Sequence, residues 1–244
     1  MPYRKIQFAN DEIYHVVIRA IDDNLMFKDI DDYYRGIFSI YEFNNAKPIT
    51  IRERRQERAR IKKELRQSPT RVDRDPSFVD LRDKFVEVWT FCLMSNHFHL
   101  LLKQSKNEGI SNFMKKLGGG YAGFFNRKYH RKGYLFQNRF SAVHIKTEDQ
   151  LKNVFVYIHT NPIALIEPNW KEKGISDPAK AIKFLENYKW SSYLDYIGKK
   201  NFPSVTERKT LLEVMDGEKG CKKFVNQWIK YKGEIVTLGG VILE

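Results

Sequence analysis

Cysteine is scarce in this chain: 244 residues hold only Cys92 and Cys221. Two are too few for a disulfide framework or a cysteine-built metal site, so a reducing, cytoplasmic setting is expected. Long apolar runs are absent too. No stretch approaches the roughly 18–20 residues that span a bilayer, and the opening Met1-Pro2-Tyr3-Arg4 has no apolar signal segment, so no membrane partner is expected. Acid is short: 43 Lys and Arg face 30 Asp and Glu, a net charge of +13. That shortage is local. Residues 52–66 carry Arg52, Arg54, Arg55, Arg58, Arg60, Lys62, Lys63 and Arg66 against Glu53, Glu57 and Glu64. Residues 115–139 carry Lys115, Lys116, Arg127, Lys128, Arg131, Lys132 and Arg139 and no acid at all. Solubilising surfaces mix the two signs, whereas cations concentrated in this way draw a polyanion and release its counterions. The charge pattern points to nucleic acid.

With 42% hydrophobic and 14% aromatic residues the chain can bury a core. IYHVVIRA (13–20) is β-branched and reads as a strand; Asp29 opens an acidic helix start, with Tyr33, Ile37, Ile40 and Tyr41 at helical spacing. FVEVWTFCLM (85–94) and HFHLLLK (97–103) read as strands joined by the turn Ser95-Asn96. A helical stretch over 109–126 is interrupted by Gly118, Gly119 and Gly120, SAVHIK (141–146) is a fourth strand, and Thr147 caps a helix that Pro162 ends. Strand, helix, strand, strand, helix, strand is a split β-α-β order. It predicts an α+β, ferredoxin-like antiparallel sheet with helices packed on one face. Residues 1–200 form the expected domain, with 44–84 as a basic, partly helical insertion. Residues 201–244 form a C-terminal helical extension.

Alternate residues of a strand share a face, so His97 and His99 point the same way and Phe98 the other. Two imidazoles so placed can chelate one ion, although a bare H-x-H is a weak signal and two ligands are an incomplete set. The helix after Thr147 lays Leu151, Val154, Phe155 and Ile158 on one face, and Asn153, Tyr157 and Asn161 recur every four residues beside it. A phenol next to an amide oxygen fits a nucleophile next to a third metal donor. For a lone tyrosine, a ring packed at the edge of the core is the commoner arrangement.

Four ordered stretches, CLMSNHFHLLLK (92–103), GYLFQNRFSAVHI (133–145), VYIHTNPIALI (156–166) and WSSYLDYIG (190–198), resemble the single-tyrosine HUH transposases of the simplest bacterial insertion sequences and the REP-associated tyrosine transposases. The resemblance spans about residues 8–200 without the basic insertion. It implies the ferredoxin-like fold, His97 and His99 as paired metal ligands, Tyr157 as the catalytic tyrosine, and Asn161 as the residue completing the metal site. The implied activity is divalent-metal-dependent cleavage and rejoining of single-stranded, hairpin-marked DNA through a 5′-phosphotyrosine. Mg²⁺ is the expected cofactor, or Mn²⁺ by the preference of imidazole ligands. A homodimer is left open as a partner, because transposing relatives place each tyrosine beside the other copy's histidines.

DNA contacts are expected from Arg127, Lys128, Arg131, Lys132 and Arg139, in a segment that interleaves cations with aromatics. Arg19 and Gln137, which lie in the resembling stretches, are further candidates. His15 and His144 read as structural histidines, His130 as exposed, and His159 as turned away from Tyr157. A replication-initiator-like nickase shares the histidine chemistry but not the NPI and WSSY stretches. A catalytically silent hairpin DNA- or RNA-binding regulator would have no use for His97, His99, Tyr157 and Asn161 together.

Overall fold

A computed structural model describes residues 7–47, 56, 80, 82–137 and 139–237, of which 234–237 by backbone alone. The helix expected within the basic insertion, at 51–66, falls outside the described residues apart from position 56.

Strands β1 (Ile13–Arg19), β2 (Val86–Met94), β3 (His97–Gln104) and β4 (Ser141–Ile145) form one antiparallel sheet in the order β2-β3-β1-β4. This is the split β-α-β topology expected from the sequence. Helix α1 (Ile30–Glu42) starts where Asp29 accepts from the Asp31 and Asp32 amides, and Asp32 returns the bond to the Asp29 amide, a reciprocal cap. Helix α2 (Gly109–Lys128) runs unbroken through the three glycines, against the expected interruption. Gly120 lies flat on the Phe43 ring, where a Cβ would come within 2.2 Å of ring carbons, while Gly119 has nothing within 4 Å. Gly120 is therefore a packing requirement rather than a hinge.

On one face, Tyr14, Val16 and Ile18 of β1 and Phe98, Leu100 and Leu102 of β3 meet Ile37 and Ile40 of α1 and Phe113, Leu117 and Tyr121 of α2. The other face is covered as well. Helix α3 (Glu148–Thr160) and the elements after it, α4 (Trp170–Lys173), α5 (Pro178–Leu185), α6 (Tyr193–Tyr196), α7 (Lys209–Val214) and α8 (Gly217–Thr237), build a second core on Trp89, Cys92, Met94 and Leu101. Helices on one face is thus corrected to helices on both. A register shift between Val88 and Thr90 switches the parity of β2, so Val86 and Val88 share a face with Phe91 and Leu93. The C-terminal extension belongs to this second core: Leu211, Met215, Cys221, Val225 and Ile229 are buried with Phe155 and Ile158. Fully burying one such side chain is worth about 1.5–3 kcal/mol.

The WSSY stretch has a structural use. Leu93 donates its amide to the Trp190 carbonyl and Ser192 donates its amide to the Phe91 carbonyl, both at the free edge of β2. The Tyr188 hydroxyl caps the Leu93 carbonyl at 2.6 Å and the Tyr196 hydroxyl caps that of Trp89 at 2.7 Å. A covered edge cannot recruit another strand.

Candidate active site

The site lies on the face that α3 covers. β1 directs His15, Val17 and Arg19 there, and β3 directs His97, His99 and Leu101, because alternate residues share a face. His97 and His99 form the floor, 8% and 3% exposed. Thr147 caps α3 by accepting from the Gln150 amide, as expected, and Pro162 converts the helix end into a 3-10 turn over Asn161–Leu165. Leu151, Phe155 and Ile158 anchor α3, which leaves Tyr157 at the edge of its buried face, 36% exposed. Its ring meets the His99 ring edge-on at 5.7 Å and the His15 ring at 5.8 Å. The tyrosine thus stands over histidines of its own chain.

The Nε2 atoms of His97 and His99 lie 2.9 Å apart. Asn96 holds the other nitrogen of His97: its Oδ1 sits 2.5 Å from His97 Nδ1, while its Nδ2 donates to Asp23 Oδ1 at 3.1 Å. The Asp23 carboxylate fixes which way the amide faces, so His97 Nδ1 donates and His97 Nε2 presents a lone pair. His99 Nδ1 lies 3.0 Å from His15 Nε2, so the proton between them decides whether His99 Nε2 is also bare. Two adjacent ligands at about 2.1 Å on an octahedral ion are about 3.0 Å apart. The imidazole pair therefore fits a divalent ion. Burial pushes His97 down to about 3 and His15 down to about 4, and holds His99 well below its ordinary value. Arg19 and Lys171 push both His97 and His99 further in the same direction. All three rings are neutral at physiological pH, the form a metal requires. Among the described residues no three His, Cys, Asp or Glu side chains converge on one point. The sequence reading offers an amide as the third protein donor.

Asn161 is that amide in the sequence reading. It is buried and one turn from Tyr157, with its Nδ2 donating to the Tyr157 carbonyl at 2.7 Å. Its Oδ1 accepts from Lys171 Nζ at 3.2 Å, and the same ammonium donates to the Tyr157 hydroxyl at 3.2 Å. Lys171 and His15 are the two site residues that sequence reasoning missed. His15 could have been found, since it occupies the site-face parity of the strand beside H-x-H. Nothing local to Lys171 marks it.

The expected DNA-binding residues separate into two groups. Arg19 pairs in register with His97, and its carbonyl accepts from the Gln137 amide, so both border the site. Arg139 follows in the same loop and is exposed. Arg127, Lys128, Arg131 and Lys132 sit at or beyond the C-terminal end of α2, in the layer on the opposite face of the sheet. Arg127 and Lys132 are exposed. Lys128 is an ion-pair partner of Asp29 at 2.7 Å and of the buried Asp32 at 2.8 Å, which makes it a structural cation. Arg131 lies over the Phe125 ring. Of the remaining histidines, His144 pairs with Glu12, His130 is exposed, and His159 turns away from the site to Ser192 Oγ at 2.9 Å.

The structure thus places a paired histidine on a central antiparallel strand and faces it with one tyrosine on the covering helix. Residues 77–161, which hold His97, His99, Tyr157 and Asn161, match the family described as "Transposase IS200 like". No curated protein matches. A solved structure described as the REP-associated tyrosine transposase bound to a REP hairpin is similar with a TM-score of 0.42 and 11% identity, over 85% of this chain and 92% of that one. A likeness that loose assigns no residue.

Proposed function

We propose that the protein is a metal-dependent DNA strand transferase that cleaves and rejoins single-stranded, hairpin-marked DNA, with Tyr157 as nucleophile. The observation that carries this reading is the Tyr157 ring standing 5.7 Å from His99, above two Nε2 atoms 2.9 Å apart. His97 and His99 would hold a divalent ion, Mg²⁺ or Mn²⁺, with Asn161 as the third protein donor. Such an ion would polarise a phosphodiester and orient it for in-line attack.

Tyr157 supplies the oxygen. Its bond to phosphorus forms as the bond from phosphorus to the 3′-oxygen breaks. The phenol gives up its proton and the departing oxygen gains one, leaving a 5′-phosphotyrosine and a free 3′-hydroxyl. The phosphoester is conserved in the link, so rejoining needs no nucleotide cofactor. Neutral ligands leave the ion's charge uncancelled, which suits an anionic diester. On the site face, Ser141 and Val143 of β4 are exposed beside His15, so the floor opens toward that edge for a strand to enter. Arg19 and Gln137 border the same floor, where they would contact the DNA, with Arg139 next in the loop. Tyr157 meets histidines of its own chain, which supports a site complete in one copy.

The test is incubation of labelled single-stranded DNA bearing hairpins with the protein and Mn²⁺ or Mg²⁺. A covalent adduct that depends on metal and is lost in Tyr157→Phe is expected. DNA binding without an adduct, on every single-stranded substrate and with either ion, would leave a hairpin-binding regulator instead.

A further inference from the structure

Nothing in the linear chain marks Lys171, yet its ammonium bonds both Tyr157 and Asn161. The residue sits on α4, whose position is set by Trp170: that side chain is 2% exposed and packs edge-on against Trp228 of α8 at 5.2 Å. From this anchored turn Lys171 Nζ reaches back to Tyr157 Oη and to Asn161 Oδ1, 3.2 Å from each, and lies 4.8 Å from the centre of the Tyr157 ring. Among the described residues no carboxylate forms an ion pair with it, although 30 acids are present in the chain. An exposed lysine with a free choice of partners ordinarily stays in water or joins a carboxylate. This one is bonded to two neutral oxygens, and its field reaches both His97 and His99.

We propose that Lys171 is a positioning residue that acts as an internal cation: it holds Tyr157 Oη and Asn161 Oδ1 together in the metal-free site and competes with a divalent ion for the Asn161 oxygen. The inference rests on the reading of Tyr157 and Asn161 given above and deepens it. One Asn161 oxygen cannot point both at an ammonium and into a tight divalent coordination shell without weakening one bond. Ion binding therefore shifts Lys171 wholly onto the phenol oxygen, and the nucleophile is held most firmly when the site is loaded. The same ammonium lies beside the oxygen through which a phosphodiester would be bound, so its charge favours the anionic substrate while opposing the free ion. Metal and DNA thereby become mutually dependent ligands, because the diester relieves the repulsion that the lone ion meets.

Lys171→Met, which keeps the length and removes the charge, separates these roles in the full chain. Calorimetric titration with Mn²⁺ alone is expected to show binding tightened by about three- to tenfold, the range of a partly screened charge pair. Single-turnover adduct formation at saturating Mn²⁺ is expected to slow by about tenfold or more, because the nucleophile loses its orientation. Lys171→Arg keeps the donors and should recover much of the rate without tightening Mn²⁺. In an Asn161→Ala background the gain in Mn²⁺ affinity from Lys171→Met should shrink. Mn²⁺ binding that is unchanged or weaker in Lys171→Met, or a gain undiminished by Asn161→Ala, overturns the competition. An undiminished adduct rate overturns the positioning role. Failure of the wild-type protein to form any adduct would instead remove the function proposed above, while the Mn²⁺ titrations would still decide the competition. The side chain is exposed, and matching thermal midpoints establish that each variant folds.

Discussion

His15 Nε2 lies 3.0 Å from His99 Nδ1, and the two rings stack at 12° between planes on neighbouring strands. With His15 accepting, His99 keeps its proton on Nδ1 and turns a bare Nε2 toward His97. A ligand's outer partner of this kind typically accounts for 10- to 100-fold in metal affinity. His15→Phe is therefore expected to weaken Mn²⁺ binding by about tenfold or more, and His15→Gln, which retains an acceptor, by less. Equal Mn²⁺ affinity across wild type, Phe and Gln would show that His15 is only packed there.

Acid should destabilise the protein over a defined window. His159 is fully buried on Ser192 Oγ, and burial pushes it down to about 3 from 6.5. Below pH 6.5 the unfolded chain takes up a proton that the folded chain refuses until about pH 3, so the stability is complete above 6.5 and is lost as pH falls through that interval. Each such histidine contributes a slope of up to about 1.4 kcal/mol per pH unit. His15 and His97, pushed down to about 4 and about 3, act in the same direction. Urea midpoints between pH 7.5 and 4.5 should fall in the wild type and fall less steeply in His159→Asn. Parallel slopes would contradict the assignment.

The glycine run of α2 makes opposite predictions at adjacent positions. Gly119→Ala meets open space and should stabilise by about 0.5–1 kcal/mol through helix propensity. Gly120→Ala drives a methyl into the Phe43 ring and should cost about 1–3 kcal/mol. Thermal or urea denaturation of the two variants decides it, and a loss at both would mean that the helix needs flexibility there.

Charge removal should separate structural cations from phosphate contacts. Lys128→Met removes hydrogen bonds to the Asp29 carboxylate and to the buried Asp32 carboxylate and should lower the thermal midpoint. Its salt slope for hairpin binding should stay near that of the wild type. Arg19→Gln should leave stability almost unchanged and reduce that slope by about one, the value of one phosphate contact. The reverse pattern would place the DNA on the α2 side of the sheet, along Lys128.

Much of this was legible in the linear chain. Thr147, Pro162 and the spacing of Leu151, Phe155 and Ile158 specify α3 locally, and alternation along HFH determines that both imidazoles share a face. Coverage of both sheet faces is also written in the sequence: FVEVWTFCLM and HFHLLLK are almost continuously apolar, as strands buried on both sides are. The glycine run misled because a missing Cβ signals flexibility or close contact alike, and only the Phe43 ring, distant in sequence, tells which.

The sequence by itself determined the elements, the H-x-H floor and the tyrosine stripe, because strand alternation and helix periodicity are properties of neighbouring residues. Tertiary structure decided how they meet. It set His15 behind His99 through the register of β1 on β3, joined the C-terminal helices to the second core, and tied Lys128 to Asp32 rather than leaving it for phosphate. It also brought Lys171 onto Tyr157 and Asn161, 3.2 Å from each. No spacing rule reaches that contact. It depends on where Trp170 is buried against Trp228, a packing relationship between segments some 58 residues apart in the chain.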